Sequence, residues 1–484
     1  MNSEWVIGPS GPRVESRLPL LDTASSRVLE AHAARHQPLG FLMQRAGLAL
    51  AQLALAAAPH ARLFWIACGR GNNGGDGLEA ALHLHQWGKG VYISMPPGPR
   101  ALPTDAALAL ERVKQAKLPI HSDAPDHWDA CIDAMLGIGL QDAPTGTYAE
   151  WIERINAVQR PVISADIPSG LVADTGEVYG ACVQATHTLT MLSLKPGLLT
   201  AHGRDQSGNL WLNTLGASVS LNPTAWLNPA PAAGSRLHSS HKGSYGDVAV
   251  VGGTQGMQGA ALLAAQTALH AGAGRVYLTL LASSQEAPGV SPPPDLMLRT
   301  TDTLDTSACT LVVGCGGGGE IALTLSRWLV NANQLVLDAD ALNAIAASSE
   351  LQLLLQRRPA DTTILTPHPL EAARLLGCDV ASVQADRIAA AQRLASIFQC
   401  AVILKGSGSV IAAPQQTPHI NPTGNGKLAI AGTGDVLAGI AGTALAQSHS
   451  AWTAACTACY QHGALADRWP AGHALTASRL IASI

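Results

Sequence analysis

The sequence has few aromatic and few charged residues. Phe, Trp and Tyr make up 4% of its 484 residues, and Asp, Glu, Lys and Arg together make up 13%. Hydrophobic residues still account for 47%, and there are 48 glycines. We therefore expect cores built from Ala, Val, Leu and Ile, with many glycine turns. This composition is typical of an α/β enzyme, and the length predicts two or three domains.

The sequence also lacks the marks of a membrane, secreted or nucleic-acid-binding protein. It has no run of about eighteen apolar residues and no basic segment followed by an apolar one near its start, so we expect neither a transmembrane helix nor a signal peptide. The formal net charge of −4 gives no electrostatic basis for binding nucleic acid or anionic lipid. The nine cysteines are scattered in apolar segments, which favours reduced thiols in the cytoplasm. Cys456 and Cys459 form a single CxxC motif, for which buried packing is favoured over metal binding.

The most informative motif lies near the C-terminus, at Gly432-Thr433-Gly434-Asp435. After it, apolar residues recur at helical spacing, so a glycine loop is predicted to open a helix at Asp435. Backbone N–H groups at such a helix start suit a phosphate. A carboxylate there would repel phosphate, unless Asp435 takes a proton from a hydroxyl that attacks phosphorus. The alternative is that Asp435 only caps its helix.

A second glycine-rich motif spans residues 68–77 and follows a strand predicted over residues 62–67. Strand, glycine loop and helix form a phosphate-binding arrangement, although this motif is neither GxGxxG nor a Walker loop. Asn72, Asn73 and Asp76 add hydrogen-bonding side chains. They favour a ligand with phosphate and sugar or amide groups over a solvated turn.

Acids follow two further predicted strands. Residues 128–132 lead to Asp133, and residues 161–165 lead to Asp166. Because parallel strands end at one edge of a sheet, we expect these acids to lie near the glycine-rich motif, although a single Asp after a strand is often only a helix cap. Lys195, at the end of a strand predicted over residues 186–194, is either a surface cation or a partner for the acids.

The C-terminal half repeats the order strand, polar loop, helix. The predicted strands cover residues 247–251, 276–281, 310–313, 334–337, 363–365 and 401–404. This repetition predicts a largely parallel sheet covered on both faces. His368 lies between two prolines and so belongs to a stiff loop, where ligand binding is favoured over a structural role. Lys405 and Gly406, with the nearby serines, either bind phosphate or turn the chain.

In order and spacing, residues 68–77, 133–140, 166–171 and 195–199 resemble the epimerase domain of the NAD(P)H-hydrate repair enzymes. The resemblance implies a Rossmann-like, doubly wound domain that interconverts the R and S hydrates of NADH and NADPH. The hydrate-binding residues that it implies are Asn72, Asn73, Gly74, Gly75, Asp76, Gly137, Ile138, Gly139, Leu140, Gln141, Asp142, Ala143, Tyr148 and Asp166. It also implies that Asn73, Asp133 and Ser169 give oxygens to K⁺. Asp166 is the candidate acid or base, and Lys195 is a weaker candidate.

The motif at residues 432–435, together with residues 338–343 and 366–369, resembles the ribokinase-like dehydratase domain of the same enzymes. The residues implied to contact the hydrate are Ala260, Gly316, Gly318, His368 and Asp435. The residues implied to hold the adenine nucleotide are Lys405, Gly406, Ser407, Gly408, Ser409 and Gly434. The sequence departs from the family pattern at Cys315, Gly317 and Leu370, where Pro, Leu and Gly are usual, and at Ser409, where Thr is common.

The combined hypothesis is a bifunctional repair enzyme. A segment rich in proline at residues 222–235 predicts a linker, which divides an epimerase domain at residues 1–228 from an ADP-dependent dehydratase domain at residues 229–484. Asp435 would direct the hydroxyl of the hydrate onto the terminal phosphate of ADP, with Mg²⁺ bridging the phosphates, to give AMP, phosphate and intact NADH or NADPH; ATP is not excluded. We expect a cytoplasmic homo-oligomer, a tetramer or larger, without nucleic-acid or membrane partners. The alternatives are a ribokinase-like small-molecule kinase with a nucleotide-binding N-terminal module, and a non-catalytic nucleotide sensor.

Overall fold

The computed structural model describes residues 3–8, 11–12, 17–98, 101–218, 221–232, 234, 236–281, 292–448 and 450–484. The chain divides into two compact units, Met1–Trp226 and Leu227–Ile484. Both are α/β with largely parallel sheets, so the predicted fold class is confirmed. Among the described residues, no helix combines the length and the apolar character needed to cross a membrane. No disulfide joins the nine cysteines, all of which fall in the described ranges.

The first unit is built on a sheet with the strand order β2-β1-β10-β9-β8-β7-β4-β5-β6. The strands of this sheet are β1 (Glu4–Gly8), β2 (Gly11–Pro12), β4 (Leu63–Cys68), β5 (Gly90–Ser94), β6 (Ile120–His121), β7 (Ala130–Ala134), β8 (Val162–Ala165), β9 (His187–Met191) and β10 (Asn209–Asn213). The short strand β3 (Pro19–Leu20) is not part of this sheet. Its helices are α1 (Thr23–Ala34), α2 (Phe41–Ala57), α3 (Asn72–Gln86), α4 (Thr104–Gln115), α5 (Thr147–Asn156) and α6 (Gly203–Ser207), with a 3-10 turn at Pro196–Leu198. From β10 to β6 the strands are parallel, whereas β1 is antiparallel to both neighbours. A further strand, β11 (Ala225–Leu227), lies within the segment predicted to be a linker.

Helices cover both faces of this sheet. On β4, Phe64 and Ile66 pack into the cluster formed with α2, α3 and α4, whereas Trp65 and Ala67 pack into the opposite cluster with Trp151 of α5. Successive side chains of a strand point to opposite faces, so a strand buried on both sides is apolar throughout. That uninterrupted apolar run is why β4 was predictable.

The helix after β4 begins earlier than the sequence predicts. A glycine loop is predicted through Gly77, but α3 already begins at Asn72. The glycines allow close packing rather than a loop: a Cβ on Gly74 would lie 1.9 Å from the Gly69 carbonyl oxygen, and one on Gly77 would lie 2.7 Å from the Ala134 Cβ. The polar side chains of the motif are therefore presented from the first turns of a helix.

The second unit has a sheet in which the strands run in the order β14-β13-β12-β15-β16-β17-β18-β19-β20. These strands are β12 (Asp247–Gly252), β13 (Arg275–Leu280), β14 (Met297–Leu298), β15 (Thr310–Val313), β16 (Gln334–Leu337), β17 (Thr363–Leu365), β18 (Ala401–Leu404), β19 (Val410–Ala412) and β20 (His419–Ile420). The helices are α7 (Gln258–His270), α8 (Ile321–Asn331), α9 (Asp340–Ala347), α10 (Ser349–Gln356), α11 (Pro369–Leu376), α12 (Val380–Ala385), α13 (Arg387–Phe398), α14 (Thr433–Ser448), α15 (Ala451–Asp467) and α16 (Ala477–Ile481), with 3-10 turns at Lys242–Tyr245 and Gly426–Leu428. The pairs from β14 to β18 are parallel, and β19 and β20 continue the sheet antiparallel.

Helix α14 is the central helix of this unit. It begins within the predicted phosphate-binding motif at residues 432–435, so the packing of the helix determines where the motif lies. A Cβ on Gly439 would lie 2.4 Å from the Ala264 carbonyl oxygen of α7, and one on Gly442 would lie 2.4 Å from Cγ2 of Val312 on β15. Because small residues let α7 and β15 approach α14 so closely, the helix has little freedom to shift. Its first turn, which carries Asp435, is held at the carboxyl ends of the parallel strands.

Candidate active sites

A cavity of about 1020 Å³ opens in the first unit, and its walls include segments that follow β4, β7, β8 and β9. Ligands bind at this edge of doubly wound sheets. The predicted hydrate-binding residues that line it are Asn72, Asn73, Asp76, Gly137, Ile138, Gly139, Leu140, Gln141, Asp142, Tyr148 and Asp166. The described lining residues do not include Gly74, Gly75 or Ala143. The two glycines are buried within α3.

Asp133 is fully buried and is held by neutral donors. Its carboxylate accepts hydrogen bonds from the hydroxyl (2.5 Å) and N–H (2.9 Å) of Ser169 and from the Ser164 hydroxyl (2.8 Å). Burial raises the pKa of Asp133. Asn73 joins the same group, since its amide donates to the Leu136 carbonyl at 3.1 Å and the Ser169 hydroxyl lies 3.3 Å from that oxygen. A buried carboxylate among neutral oxygens fits a hard cation such as K⁺.

The position of Asp133 differs slightly from the prediction. The sequence predicts that it follows a strand, but it lies within β7. Its side chain is therefore fixed by the pleat of the sheet and by β8, from which Ser164 donates. Asp133 therefore lies buried within the sheet and not in a loop at the entrance of the cavity.

Asp166 and Lys195 form an ion pair in the cavity wall. Asp166 follows β8 with φ +63°, a left-handed conformation that is uncommon for a residue other than glycine. Its carboxylate accepts hydrogen bonds from the Lys195 ammonium and from the Met191 N–H at 2.9 Å. The Lys195 side chain is 3% exposed and also donates to Thr190 at 3.1 Å. Of the two alternatives for Lys195, the structure supports the partner of an acid.

Side chains of α1 also line this cavity, and the sequence gave them no predicted role. The α1 residues that line it are Ser26, Arg27, Glu30 and Ala34, of which Arg27 and Glu30 carry charged side chains. Burial and the neighbouring charge of Asp166 raise the pKa of Glu30. Burial raises the pKa of Asp76 as well, with the charges of Asp166 and Glu30 adding to the effect. No sequence signal marks Arg27 or Glu30. The predicted site residues were found because they follow parallel strands, whereas α1 comes before all of those strands in the chain.

In the second unit, Asp435 lies in the first turn of α14 beside Cys315 and Asp338. The Cys315 Sγ, one carboxylate oxygen of Asp338 and one of Asp435 all lie within 4.8 Å of one another. Burial, followed by the charge of Asp338, raises the pKa of Asp435 to about 6. Gly434 is adjacent: a Cβ there would lie 3.5 Å from the Lys405 Nζ. The predicted base and two predicted nucleotide contacts are thus brought together.

Lys405 is the centre of a charged network. Its ammonium donates to Asp338 at 2.7 Å and lies 3.9 Å from a Glu371 carboxylate oxygen. Burial opposes the charged form of Lys405, but Asp338 and Glu371 outweigh it and raise its pKa. Lys405 therefore stays a cation at neutral pH, as a residue that binds a phosphate must.

His368 caps α11. Its Nδ1 accepts hydrogen bonds from the Leu370 N–H at 3.1 Å and the Glu371 N–H at 3.4 Å, so the proton of the neutral ring is assigned to Nε2. That Nε2 lies 3.3 Å from Glu371, and burial lowers the pKa of His368. The imidazole has a structural role, yet its side chain is 46% exposed, so a face remains open to a ligand.

The remaining predicted hydrate contacts lie where the loop after β15 meets the start of α7. A Cβ on Gly316 would lie 3.0 Å from the Ala260 Cβ, and the Gly318 N–H donates to Asp340 at 2.9 Å. Both glycines have positive φ, +61° and +54°. The three predicted residues Ala260, Gly316 and Gly318 therefore line one surface close to Cys315 and Asp338.

The predicted nucleotide loop turns sharply after β18. Gly406 has φ +142° and Gly408 has φ +57°, and the Ser409 hydroxyl donates to the Gly406 carbonyl at 3.1 Å. Arg387 supports the loop from below with a hydrogen bond to the Lys405 carbonyl at 3.1 Å. The run from Lys405 through Ser407 to Ser409 is thus a fixed turn that begins at the charged network.

Asp338, Glu371 and Cys315 have no predicted role in the sequence, although the structure puts them at the site. Asp338 directly follows β16, the same signal that marks Asp166, so a consistent use of strand ends would have found it. Glu371 is recognisable only as the third residue after a helix cap. Nothing in the sequence marks the proximity of Cys315 and Asp435, because Cys315 follows β15 and Asp435 lies 120 residues later, in the first turn of α14.

Comparison with protein families gives a match for each unit. Residues 248–484 match the family described as NAD(P)H-hydrate dehydratase. Residues 40–197 match the family described as YjeF-related protein N-terminus.

Similar curated proteins span both units. The bifunctional NAD(P)H-hydrate repair enzyme Nnr of Escherichia coli (strain K12) is 38% identical over 449 residues, which cover 88% of this chain and 84% of the relative. The bifunctional NAD(P)H-hydrate repair enzyme of Leishmania braziliensis is 36% identical over 496 residues, with 90% and 86% covered. Among solved structures, the ADP/ATP-dependent NAD(P)H-hydrate dehydratase of Bacillus subtilis, co-crystallised with ATP and Mg²⁺, matches 51% of this chain and 91% of its own at 31% identity and a TM-score of 0.45.

Proposed function

The chain belongs to the bifunctional NAD(P)H-hydrate repair enzymes, and from that membership we propose how its two units divide the work. It interconverts the R and S hydrates of NADH and NADPH and dehydrates the S hydrate to the intact coenzyme. We assign epimerisation to residues 1–228 and dehydration to residues 229–484. The separate family matches of the two halves support this division.

One observation carries the dehydratase half of the proposal: Asp435 lies in the first turn of α14 next to Gly434, which itself lies beside the Lys405 ammonium. Hydroxide is a poor leaving group, so the hydroxyl of the hydrate must be activated. Asp435 accepts the hydroxyl proton while the oxygen attacks the terminal phosphorus of the nucleotide. The P–O bond to AMP breaks, and the hydrate becomes a phosphate ester.

The ester then eliminates phosphate. The lone pair of the ring nitrogen expels the phosphate from the carbon that carried the hydroxyl, and a proton leaves the neighbouring carbon, which restores the dihydropyridine. Lys405 stabilises the charge that develops on the phosphate oxygens, together with the N–H groups at the start of α14. The net result is hydrate plus ADP giving NADH or NADPH, AMP and phosphate. Atoms balance, because the water lost from the hydrate hydrolyses ADP.

We infer that ADP and Mg²⁺ are used at this site. The fixed turn from Gly406 to Ser409, joined to the Lys405 cation, supports a nucleotide with its phosphates next to Asp435. Mg²⁺ bound to the phosphate oxygens would neutralise part of their charge, and we assign it no protein ligand. Lys405 and the helix start orient the terminal phosphate toward the hydroxyl.

In the first unit we propose that Asp166 and Lys195 act at the carbon that carries the hydroxyl. The lone pair of the ring nitrogen expels hydroxide, which the Lys195 ammonium protonates, and water returns to either face as Asp166 takes its proton. Their ion pair within the cavity wall supports these roles, since both groups reach the same ligand space.

We propose that Asn73, Asp133 and Ser169 hold K⁺. The buried carboxylate with neutral hydrogen-bond donors supports a cation there, and a bound K⁺ would supply positive charge near the substrate phosphates. Asn73 also lies in the first turn of α3, and its side-chain amide donates a hydrogen bond to the Leu136 carbonyl in the cavity wall.

We further propose a homo-oligomer, a tetramer or larger, that works in the cytoplasm. Membership of the family supports this proposal. Light scattering of the purified protein and fractionation of cells would measure the two properties.

The test of the function uses the purified full chain with mixed R and S hydrates of NADH, ADP and Mg²⁺. We expect the absorbance of reduced nicotinamide to recover fully, with one phosphate released per coenzyme restored. Recovery that stops when the S hydrate is consumed would overturn the epimerase half. No recovery with ADP or ATP would overturn the dehydratase half, and a stable phosphorylated product would support the small-molecule kinase instead.

Two matched variants separate the sites. Asp435→Asn should abolish dehydration and leave R/S exchange intact, whereas Asp166→Asn should do the reverse. Asn tolerates the left-handed conformation at residue 166, so the second variant keeps its backbone. Chromatographic separation of the hydrates measures exchange, and full dehydration by Asp435→Asn would contradict the mechanism.

A further inference from the structure

Arg387 lies beneath the turn that follows β18. It is the first residue of α13 and is 1% exposed. One guanidinium nitrogen, Nη1, donates to the side-chain oxygen of Gln384 on α12 at 2.6 Å. The other, Nη2, donates to the carbonyls of Leu404 at 3.2 Å and Lys405 at 3.1 Å. The guanidinium therefore joins the junction of α12 and α13 to the start of the predicted nucleotide loop.

The hydrogen bond to the Lys405 carbonyl also sets the direction of the next backbone N–H. The C=O and N–H of one peptide unit point in opposite directions, because the peptide bond is planar and trans. The Lys405 carbonyl points toward the buried guanidinium, so the Gly406 N–H points away from it, on the exposed side of the turn. Among the residues that the structure describes, no group accepts this N–H. The turn thus presents a backbone donor that is available to a ligand.

Gly406 is the residue that this arrangement requires. A Cβ on Gly406 would lie 2.7 Å from the Arg387 Nη2 and 2.9 Å from its Nη1. The backbone φ of +142° is also one that residues with side chains rarely adopt. The guanidinium therefore occupies the space that a side chain at residue 406 would need.

The Gly406 donor is adjacent to the charged network of the dehydratase site. The Lys405 ammonium donates to Asp338 at 2.7 Å, whereas the Lys405 N–H is already used by the Pro367 carbonyl at 2.9 Å. Burial lowers the pKa of Arg387 to about 10, so the guanidinium is still a cation at neutral pH. A cation bound to the carbonyl of a peptide unit polarises that unit and strengthens its N–H as a donor.

We propose that Arg387 is a positioning residue for nucleotide binding, which holds the peptide between Lys405 and Gly406 so that the Gly406 N–H donates to a phosphate oxygen of ADP. The proposal rests on the proposed function, in which the turn from Lys405 to Ser409 holds the nucleotide. Arg387 acts through the peptide and touches neither the nucleotide nor the hydrate. A backbone N–H stabilises phosphate charge best when its direction is fixed before the ligand binds.

The experiment compares the full-length wild type with Arg387→Met, Arg387→Lys and Arg358→Met. Met removes all the donors of residue 387, whereas Lys keeps the buried charge but lacks the planar fork that reaches the Gln384 side chain and both carbonyls. Arg358 is the matched control, because it is a second buried arginine of the same unit. It donates to Thr363, at the amino end of β17, and to the carbonyls of Leu329 and Ala332.

The measurements are the Kd of ADP with Mg²⁺ by titration calorimetry, and kcat and both KM values for dehydration of the S hydrate. For Arg387→Met we expect the Kd and the KM of ADP to rise about tenfold, as the loss of one well-aligned hydrogen bond to a charged group gives. Arg387→Lys should show a smaller rise. The KM of the hydrate and kcat at saturating ADP should stay at the wild-type values, and Arg358→Met should lose stability but keep the wild-type Kd of ADP.

The Kd and the KM are read from the folded fraction, so partial unfolding of a variant does not imitate the expected result; if Arg387→Met does not fold, Arg387→Lys decides. An unchanged Kd of ADP in the Arg387 variants that fold, an equal rise in Arg358→Met, or a parallel rise in the KM of the hydrate overturns the role of Arg387. A wild-type protein that binds no ADP, or that does not dehydrate the hydrate, overturns the proposed function itself. The two failures are therefore distinguishable.

Discussion

The Lys405 ammonium lies 2.7 Å from the Asp338 carboxylate and joins the ends of β18 and β16, which are separated in the sheet by β17. Asp338 is only 2% exposed, so its charge requires a partner. The same aspartate raises the pKa of Asp435, and the same lysine lowers it. One ion pair thus joins the two strand ends and tunes the proposed base.

Lys405→Met should damage stability and nucleotide binding together. It leaves Asp338 buried without a cation, which we expect to reduce the free energy of unfolding by roughly 3 kcal/mol, and it should raise the KM for ADP. The double variant Lys405→Met with Asp338→Asn removes both charges. Denaturant unfolding of the double variant should recover most of the stability, whereas the KM for ADP should stay high. Recovery of both would mean that Lys405 acts only through the ion pair.

Asp435→Asn should stabilise the protein at neutral pH while it abolishes dehydration. The pKa of Asp435 is raised from 3.8 to about 6 in the folded state. The folded state therefore binds this proton more tightly, and the stability that the group contributes is present below about pH 4 and lost as pH rises through about 6. At pH 8 the free energy of unfolding of the Asn variant should exceed that of wild type by roughly 2–3 kcal/mol, and below pH 4 the two free energies should be equal. Urea melts at both pH values measure this, and an equal difference at both would contradict it.

The fold was predictable wherever a strand is buried on both faces. The predicted bounds of β15, β16, β17 and β18 agree with the structure, because their apolar runs end abruptly in polar or glycine residues. Prediction failed where glycine serves packing. The glycines after Asn72 predict a loop, but they allow α3 to begin there against the neighbouring backbone.

The sites were predictable to the extent that they follow strand ends. Asp166, His368 and Lys405 were found in this way, and the structure shows which groups they contact. Proximity between elements that are distant in the sequence was not predictable, since no local pattern records it: Cys315 near Asp435 is one example, and Glu30 of α1 facing the cavity of Asp166 is another. The proposed roles of all these residues stay predictions until they are tested.

Potassium should activate epimerisation and stabilise the first unit. Burial raises the pKa of Asp133, and neutral donors surround its carboxylate, so a K⁺ bound there would offset the buried charge. We expect KCl, but not choline chloride at equal ionic strength, to raise the exchange rate and the Tm. Asp133→Asn should lose the KCl response without a change in dehydration. Equal effects of the two salts on wild type would contradict a specific site.

Gly74→Ala should disrupt the first unit and leave the second active. A Cβ at this position would lie 1.9 Å from the Gly69 carbonyl oxygen, and the three nearest atoms all belong to the Gly69 backbone, so no side-chain rotation can relieve the clash. We expect a loss of about 3 kcal/mol or more in unfolding free energy and a corresponding loss of R/S exchange. Gly71→Ala is the matched stability control, because a Cβ there would meet nothing within 4 Å. Calorimetry should show an earlier transition for Gly74→Ala only, while dehydration of the S hydrate continues at the wild-type rate. A Gly74→Ala protein as stable as wild type would mean that α3 does not approach the Gly69 backbone so closely, and the early start of this helix would then need another cause.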